Sequence, residues 1–441
     1  MTAKQLKNSI LQQAIQGKLI KQNKEDEPAS ELLKRIKAER EKLIKSGKIK
    51  VNKNISAIYR KGNSFYEKIE NEEICIDEEL PFEIPKTWEW TKLSFVSDMF
   101  TGNSINENEK NLKYKGLSEG YFYVATKDVN FNNEIDYYNG VRIPKNSKKF
   151  RIAPKNSILF CVEGGSAGKK IAITDKDICF GNKLCCFVSY GIDIKYLYYY
   201  IQSPMFIYDF KRNTTGIIGG VSINTLKQMF LPLPPIEEQK RIVNKLNQLM
   251  PLIEEYEEKE NKLNELDKKF PERLKKSILK EAFDGKLIKS YNKKTLEEIC
   301  IYSTSNIAIK DIKNKKGNYP VYGASGIIGY VDFYSKEKEC VAVVKDGSIG
   351  KVFLLPAKSS VISTLCYLEN IEILNIKYLY YFMQSINFIK YKKGSMIPHI
   401  YFKDYKKEKV IIPPIEEQKR IVEKLDKLIN ACEELKKILF I

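Results

Sequence analysis

Apolar side chains recur at alternating spacings of four and three along two long stretches of the sequence. This heptad pattern predicts two helices, each with one continuous apolar seam of the coiled-coil type. The seam residues are Ile242, Leu246, Leu249, Ile253, Tyr256, Leu263 and Phe270 in the first stretch, and Ile421, Leu425, Leu428, Cys432, Leu435 and Leu439 in the second. We expect the two helices to pair with each other, and packing of each helix on its own domain is the alternative.

Three residues interrupt the first seam. Glu260 replaces an apolar residue, and Pro251 and Pro271 each remove a backbone hydrogen-bond donor. We expect these prolines to kink the first helix or to make it restart. Without such a break, a helix from residue 236 to residue 270 would be about 50 Å long.

Two units of mixed strand and helix pattern precede the two seams. Each has a strand, a Gly-Ser-x-Gly-Lys turn and a second strand, followed by a tyrosine-rich stretch that predicts a helix with a buried aromatic face. The strands are 157–162, 171–173, 340–344 and 352–355, the turns are 165–169 and 347–351, and the helices are 194–203 and 376–385. For the tyrosines, packing in the core is favoured over stacking on nucleic-acid bases.

The two units are copies of each other. Leu-Pro-Pro-Ile-Glu-Glu-Gln-Lys-Arg-Ile-Val at 233–243 recurs with one change at 412–422, an offset of 179 residues. The Gly-Ser-x-Gly-Lys turns and the tyrosine-rich stretches recur at an offset of 182 residues. A repeat of this length is too long for a solenoid, so it indicates two copies of a whole domain with a helical rod.

A second repeat has a different offset. Residues 6–21 match residues 274–289, which lie 268 positions further along the chain. The central arm, 235–290, therefore equals the C-terminal arm followed by the N-terminal segment. This arrangement predicts a circular permutation of two equal halves, in which the chain ends meet and complete a structure with approximate two-fold symmetry.

Composition describes a folded protein with an excess of positive charge. The chain has 441 residues, 43% of them hydrophobic and 11% aromatic, and a net charge of +19. Such an excess suits a polyanionic partner, because neutralising phosphates releases counterions. A lysine-rich proteome is the alternative explanation of the charge.

Cysteine and hydropathy patterns bear on location and cofactors. No apolar run approaches the roughly 20 residues of a membrane span, and residues 1–20 form an amphipathic, lysine-containing segment, unlike a signal peptide. Nine scattered cysteines and a single histidine argue against disulfides and zinc sites. We therefore expect a cytoplasmic protein without a metal or a cofactor of its own.

The Gly-Ser-x-Gly-Lys turns lack the spacing of a nucleotide-binding loop, because Glu163 and Lys345 stand where that loop needs glycine. A glycine-rich hairpin with a basic tip can still approach a DNA backbone closely. An ordinary hairpin turn with structural glycines is the alternative. The candidate DNA-contacting residues of the two turns are Ser166, Lys169, Lys170, Lys345, Ser348 and Lys351.

A polar loop before each arm adds further candidates, because its cations seek phosphates and its amide and hydroxyl groups can reach base edges. Solvated loops without a ligand are the alternative. The candidates are Lys211, Arg212, Asn213, Thr214, Lys392, Lys393, Ser395 and His399. We find no amino-methyltransferase motif, no nucleotide-binding loop and no nuclease constellation, so no catalytic residue is predicted.

With these residues in view, the chain resembles the specificity subunit of Type I restriction–modification systems. The doubled Pro-Pro-Ile-Glu-Glu-Gln-Lys-Arg-Ile phrase carries most of the resemblance. Further stretches are similar to the start of such a recognition domain, at 84–93 and 319–323, and to the stretch before the distal helix, at 395–399. The second domain lacks the paired tryptophans of the first, so the two domains are expected to read different bases.

The resemblance implies an α+β fold with two similar mixed α/β target-recognition domains separated by long antiparallel coiled-coil helices, pseudo-two-fold and circularly permuted. The implied segments are 1–80 (N-terminal helical segment), 81–234 (first recognition domain), 235–290 (central arm), 291–413 (second recognition domain) and 414–441 (C-terminal arm). The expected arm-packing residues are Ile242, Leu246, Leu249, Ile253, Ile421, Leu425, Leu428 and Leu435.

The resemblance also implies the function. Each recognition domain would contact one half of a bipartite site in double-stranded DNA, and the arms would set the unread gap. Two methyltransferase subunits, which carry S-adenosylmethionine, and the restriction motor-nuclease subunits would join this non-catalytic chain. A coiled-coil scaffold without a DNA role and a self-contained DNA-modifying enzyme are the alternatives.

Overall fold

The structure, a computed structural model, describes residues 1–47, 57–69, 72–216, 219–284, 291–313, 315–394 and 396–439. The chain forms two compact units, Met1–Glu260 and Asn261–Ile441. Both mix helices and strands, and the two share the strand order of their main sheet, in agreement with the sequence repeats.

The first unit contains both long and short helices among its strands. The helices are α1 (Ala3–Ile15), α2 (Ala29–Lys45), α3 (Leu93–Val96), α4 (Glu107–Glu109), α5 (Ile194–Ile201), α6 (Pro204–Arg212), α7 (Ile223–Gln228) and the start of α8 (Ile236–Phe283). The strands are β1 (Ala57–Lys61), β2 (Ser64–Ile69), β3 (Glu72–Cys75), β4 (Glu89–Lys92), β5 (Ser97–Thr101), β6 (Tyr121–Val124), β7 (Arg142–Ile143), β8 (Ile152–Ala153), β9 (Ile158–Cys161), β10 (Ile171–Ile173), β11 (Ile178–Phe180), β12 (Leu184–Ser189) and β13 (Phe230–Leu233).

The second unit repeats this plan after the end of α8. Its helices are α9 (Leu296–Ile299), α10 (Ile309–Ile312), α11 (Ile376–Ser385), α12 (Phe402–Tyr405) and α13 (Ile415–Leu439). Its strands are β14 (Lys293–Thr295), β15 (Cys300–Thr304), β16 (Tyr319–Gly323), β17 (Gly326–Val331), β18 (Cys340–Val344), β19 (Val352–Leu355), β20 (Ser360–Val361), β21 (Leu365–Asn370) and β22 (Lys409–Ile411).

The main sheets of the two units have the same topology. Strand order is β10-β9-β12-β5 in the first unit and β19-β18-β21-β15 in the second, and all neighbours are antiparallel. A second sheet accompanies each, β7-β6-β11-β8 in the first unit and β17-β16-β20 in the second, and each contains one parallel pair, β6 with β11 and β16 with β20. A two-stranded ribbon, β4 with β13 or β14 with β22, joins the start of each domain to the strand before its arm helix. The predicted strand, turn and strand around each Gly-Ser-x-Gly-Lys turn are confirmed as β9–β10 and β18–β19.

The tyrosine-rich helices α5 and α11 hold the core of each unit against its arm. Tyr196 and Tyr378 are buried, and each hydroxyl donates to a carbonyl of the ribbon, at 2.6 Å to Pro232 and 3.0 Å to Ile411. Burial raises the pKa of both phenols, so they remain neutral donors. The prediction that these tyrosines pack in the core is confirmed.

Helix α8 is continuous over 48 residues. Of the two expectations for Pro251 and Pro271, a restart of the helix is therefore wrong, and a kink stays a prediction. A proline removes only one hydrogen bond, and the residues on both sides of each proline keep the helix. At 1.5 Å per residue, a helix of this length is about 70 Å long.

Each unit pairs its arm helix with one copy of the 6–21 repeat. In the first unit, the hydroxyl of Tyr256 donates to the carbonyl of Met1 at 2.9 Å, at the start of α1. In the second unit, Lys436 of α13 forms an ion pair with Glu272 of α8 at 2.9 Å. Glu433, one turn earlier on α13, forms an ion pair with Lys275, further along α8, at 3.7 Å. Because residue numbers rise on α8 while they fall on α13, these two segments are antiparallel.

The same stripe of each arm helix packs on its own domain. Buried residues are Gln239, Val243, Leu246, Met250 and Ile253 on α8, and Gln418, Val422, Leu425, Ile429 and Cys432 on α13, each pair 179 positions apart. This packing on the own domain is the arrangement given under Sequence analysis as the alternative to pairing of the two arm helices. Of the predicted packing residues, Ile242, Leu246, Ile253 and Leu425 are buried, Leu249, Ile421 and Leu435 are half-buried, and Leu428 is exposed.

The described residues of the stretch 22–80, namely 22–47, 57–69 and 72–80, form an additional layer on the first unit. Leu32 and Ile36 of α2 are buried against the domain, and the guanidinium of Arg40 donates to the carbonyls of Ser94 and Phe95 at 2.8 and 2.9 Å. Strands β1–β3 form a separate antiparallel sheet beside β4.

The described residues contain no helix that is both long and apolar enough to pass through a lipid bilayer. Within the same ranges, no cluster of three or more His, Cys, Asp or Glu side chains has a geometry for holding a metal ion. All nine cysteines are free thiols, and eight of them are buried.

Candidate nucleic-acid interface

In the first unit, the β9–β10 turn and the loop after α6 form one surface. The N–H of Gly164 donates to the carbonyl of Gly219 at 2.9 Å, and the N–H of Val221 donates to that of Val162 at 3.0 Å. Gly168 closes the turn with φ +73°, a conformation that favours glycine, and its Cα faces the ring of Phe210. Hereafter this surface, formed by residues 162–169, 182–183, 211–216 and 219–222, is called the first tip surface.

The second unit builds the same surface from the β18–β19 turn and the loop before α12. The N–H of Gly347 donates to the carbonyl of Pro398 at 2.8 Å, and the N–H of Ile400 donates to that of Lys345 at 2.9 Å. Gly350 has φ +78° and lies against Phe388. The structure thus brings together, in each unit, the two loops that the sequence singled out separately. Residues 345–351, 390–394 and 396–400 are called the second tip surface.

The two lysines of the first turn have different environments. Lys169 is exposed, and its ammonium donates to the carbonyl of Gly165 at 3.1 Å. Lys170 is only 8% exposed, and its ammonium donates to the carbonyl of Thr126 at 2.9 Å and lies 4.9 Å from the ring centre of Phe131. Of these two candidates, Lys169 can reach a phosphate without rearrangement, whereas the ammonium of Lys170 is directed into the domain, towards Thr126 and Phe131.

The other candidates of the first tip surface divide between exposed cations and capping groups. Lys211 and Arg212 end helix α6 and are exposed. The Asn213 amide donates to the carbonyl of Asp209 at 2.9 Å, and the Thr214 hydroxyl donates to that of Phe210 at 3.0 Å. Ser166 is half-buried within the turn. Two exposed cations at the end of α6 are therefore followed by two polar side chains that also cap this helix.

The second tip surface presents fewer unpaired cations. Lys351 and Lys392 are exposed, and the Lys351 ammonium donates to the carbonyl of Ala324 at 3.1 Å. Lys345 pairs with Asp346 at 2.5 Å, and Lys393 pairs with Asp404 at 2.8 Å.

The remaining candidates of this surface are polar. Ser348 is exposed at the turn, and Ser395 lies outside the described residues. The half-buried His399 packs its ring on Tyr401, with 5.1 Å between ring centres. Its Nδ1 lies 3.3 Å from the carbonyl oxygen of Ile397. A contact of any of these candidates with DNA stays a prediction.

Two sequence matches identify the family. A family model described as the Type I restriction modification DNA specificity domain matches residues 85–265 and again residues 288–439. Together the two matches cover more than half of the chain. The chain belongs to this family. Each match includes one tip surface and the main sheet of one unit.

Curated and solved relatives agree with this assignment. The Type I restriction enzyme EcoAI specificity subunit of Escherichia coli is 29% identical over 271 residues, which are 56% of this chain and 39% of that protein. The EcoprrI specificity subunit of the same organism is 25% identical over 376 residues, or 79% of this chain and 90% of that protein. The chain thus spans about two fifths of the length of the EcoAI relative and most of the EcoprrI relative.

A solved structure shows the fold as well. It comes from work on complex assembly and conformational transition of the type I R-M system, and it matches with a TM-score of 0.54. The sequence identity is 19%, and the match covers 81% of this chain and 94% of that chain. This likeness supports the arrangement of two mixed domains in one specificity-domain chain.

Sequence reasoning missed three residues of the first tip surface in this specificity-domain protein. Glu163 lies at the tip beside Gly220, and Asn182 and Lys183 come from the β11–β12 turn. The carbonyl of Lys183 accepts from the N–H of Val162 at 3.0 Å. A polar Gly-Asn-Lys break between two buried strands was the available signal. Glu163 forms an isolated antiparallel β-bridge with Gly220 in the first tip surface, and Asp346 forms the corresponding bridge with His399 in the second. Both tips therefore carry an acidic residue at the same place.

Proposed function

We propose that this chain is the DNA sequence-specificity subunit of a Type I restriction–modification enzyme. Each recognition domain, 81–234 and 291–413, contacts one half of a bipartite site through its tip surface. The observation that carries the proposal is that the tip surface occurs twice, once in each copy of one family domain. Equivalent backbone hydrogen bonds form both tip surfaces, and a glycine with positive φ, Gly168 or Gly350, closes each turn. Two equivalent surfaces in one chain suit a site with two separate halves.

Electrostatics supports a contact with the phosphate backbone. The chain has a net charge of +19, and the exposed Lys169, Lys211 and Arg212 lie in one tip surface while Lys351 and Lys392 lie in the other. Cations of this kind fix position and orientation on the duplex but carry no sequence information by themselves. Affinity is therefore expected to fall steeply with salt concentration.

The acids at the tips are suited to a different task. A carboxylate is repelled by phosphates, whereas it accepts hydrogen bonds from the amino groups of cytosine and adenine in the major groove. Glu163 and Asp346 occupy equivalent positions in the two tips. The surrounding side chains differ between the units, which supports different half-sites for the two domains.

The helical segments supply the partner contacts in this proposal. The central arm, 235–290, and the C-terminal arm, 414–441, together with the N-terminal segment, 1–80, bind two methyltransferase subunits, and the restriction motor-nuclease subunits join through them. S-adenosylmethionine belongs to the methyltransferase subunits, and this chain itself is non-catalytic. Such a complex acts on DNA in the cytoplasm.

A methylome tests the function. The chain is co-expressed with the methyltransferase subunit encoded beside it, and each is expressed alone as a control, before modified bases are mapped by long-read sequencing. A split motif with a fixed gap, present only with both proteins, is the expected result. No modification with a competent partner would favour a scaffold without a DNA role, and modification by this chain alone would reveal an enzyme.

The continuous helix α8 is the candidate ruler between the half-sites. Deletion of one heptad, residues 257–263, shortens the helix by about 10 Å while it keeps the seam in register. The expected methylome keeps both half-sites and changes the gap. An unchanged gap in the variant would rule out this role of α8.

A further inference from the structure

The duplicated Pro-Pro-Ile-Glu-Glu-Gln-Lys-Arg phrase has one residue with the same role in both copies. Gln239 accepts a hydrogen bond from the N–H of Asp193 at 2.9 Å and donates to the carbonyl of Pro234 at 2.9 Å. Gln418 accepts from the N–H of Asn375 at 2.8 Å and donates to the carbonyl of Pro413 at 2.8 Å. The glutamine therefore fixes the start of each arm helix on its domain.

The second glutamate and the arginine of the first copy, Glu238 and Arg241, also form hydrogen bonds with other parts of the first unit. The Glu238 carboxylate accepts from Nε1 of Trp88 at 2.9 Å and from Nε2 of Gln22 at 2.6 Å. The Arg241 guanidinium forms two bonds to the Asp26 carboxylate, at 3.0 and 2.5 Å. This pairing holds the pKa of Asp26 below its usual value. The N-terminal segment thus covers this part of α8, where Glu238 is only 1% exposed.

The identical residues of the second copy are left open. Glu417 and Arg420 form one hydrogen bond to each other, at 3.4 Å. Lys419 and, to a smaller extent, the Arg420 guanidinium lower the pKa of the exposed Glu416 on the same helix. The Arg420 side chain is 79% exposed and that of Glu417 is 40% exposed. Two residues that bind three side chains in the first unit therefore face solvent in the second.

The sequence explains why the second copy is open. The N-terminal repeat ends at residue 21 in the first copy and at residue 289 in the second. The matching ribbons β4–β13 and β14–β22 place Tyr291 where the first unit has Trp88, so the second copy passes from the repeat to the ribbon with no stretch that corresponds to Gln22 and Asp26. The sequence of the second unit therefore has no counterpart of the Asp26 carboxylate for Arg420.

An apolar floor lies beside the open pair. The groove between α8 and α13 in the second unit is lined by Ile278, Ala282, Glu417, Arg420, Ile421, Lys424, Leu425 and Leu428. Leu428 is 41% exposed in this groove. In the first unit, Ile242, the equivalent of Ile421, is only 1% exposed. The second groove therefore offers two cations above an apolar surface.

We propose that this groove binds a segment of a separate partner protein that presents an aspartate to Arg420, a hydrogen-bond donor to Glu417 and apolar side chains to the floor. The first unit shows the chemistry of the occupant, because residues 19–26 supply these same groups to Glu238 and Arg241. A second copy of the chain is not the occupant, since its residues 22 and 26 are already bound in its own first unit. The inference goes beyond the proposed function and uses none of the DNA-contacting candidates.

A labelled peptide tests the chemistry of the groove. The probe is a fluorescein-labelled peptide of residues 17–28, titrated with the full chain and followed by fluorescence anisotropy. The tethered segment of each chain keeps the first groove filled, because its effective concentration exceeds that of a free peptide. We expect saturable binding that Arg420→Glu weakens at least tenfold, while the matched charge change Lys419→Glu, on the exposed side of α13, leaves it unchanged.

Three further results decide the proposal. Absence of saturable binding up to about 1 mM protein or peptide, or equal binding by the two variants, would overturn it. A concentration-dependent dimer in sedimentation velocity that Arg420→Glu abolishes would also overturn it, because the occupant would then be a second copy. DNA binding that is equal in wild type and Arg420→Glu is expected, and it separates a failure here from a failure of the proposed function.

Discussion

The indole Nε1 of Trp88 donates a 2.9 Å hydrogen bond to Oε2 of Glu238, which lies 150 residues further along the chain. Both side chains are buried, with 0% and 1% exposure. The bond joins the residue before the first ribbon to the first turn of α8. Burial raises the pKa of Glu238, and the hydrogen bonds from Trp88 and Gln22 oppose that rise. The Glu238 carboxylate therefore links the segment just before β4 to the first turn of α8.

Replacing Trp88 with phenylalanine is expected to lower the free energy of unfolding by about 1–3 kcal/mol more than the matched change Trp90→Phe. Both tryptophans are fully buried, so the cavity and packing losses are similar. Nε1 of Trp90 has no hydrogen-bond partner among the described residues, whereas loss of the Trp88 indole removes one of the two donors to the buried Glu238 carboxylate. Urea unfolding of the two variants measures the difference, and equal losses would contradict the role of this bond.

The raised pKa of Glu238 predicts a pH dependence of stability. A carboxyl whose pKa is higher in the folded state favours folding when protonated, so its contribution falls as the pH rises from the ordinary glutamate value, about 4.3, through the folded value. We expect the unfolding free energy of wild type minus that of Glu238→Gln to fall with rising pH in this window and then to stay constant. Burial also raises the pKa of Glu89, but this residue is present in both proteins and cancels. A difference that is flat or that rises across the window would contradict the prediction.

Local patterns predict the repeated parts of the fold well. Strand, turn and strand around each tip follow from short sequence signals, and the duplicated phrase alone locates the start of both arm helices. The phase of the second seam is harder to predict, because Ile421 and Val422, and likewise Leu428 and Ile429, are adjacent apolar residues. Either member of each pair fits a heptad, and only packing on the domain selects Val422 and Ile429.

The candidate site is predicted less completely than the fold. Nothing in the local sequence separates Lys169 from Lys170, since burial of the second depends on Thr126 and Phe131, which lie about 40 positions upstream. The turn and the loop of each domain are likewise separate features in the sequence. Their union depends on backbone bonds such as that of Gly164 to Gly219, which no side-chain pattern encodes.

The two neighbouring lysines are expected to fail in different ways when changed to alanine. Lys169→Ala removes an exposed cation, so DNA affinity falls for all sequences and the slope of log affinity against log salt drops by about 0.9. Lys170→Ala leaves the carbonyl of Thr126 without its donor, so the loss is in thermal stability. Salt titrations by anisotropy and melting curves of both variants test this. A reduced salt slope for Lys170→Ala with unchanged stability would reverse the assignment.

Gly350→Ala is expected to impair one half-site alone. A Cβ at this position would lie 2.7 Å from Cβ of Phe388, and φ of +78° is itself unfavourable for alanine. The matched control is Gly347→Ala in the same turn, which has φ of +80° but no atom within 4 Å of the added Cβ. It bears the backbone strain, of order 1–3 kcal/mol, without the clash.

The methylome of each variant, co-expressed with the methyltransferase subunit, gives the readout. For Gly350→Ala, the bases of one half-site should become degenerate, while the other half-site keeps its sequence because Gly168 and Phe210 still shape the first tip. Gly168→Ala, with a Cβ 3.1 Å from the ring of Phe210, should give the reciprocal result. Loss of both half-sites in either variant at unchanged melting temperature would mean that the two tips do not act independently, and the assignment of one half-site to each tip surface would then be wrong.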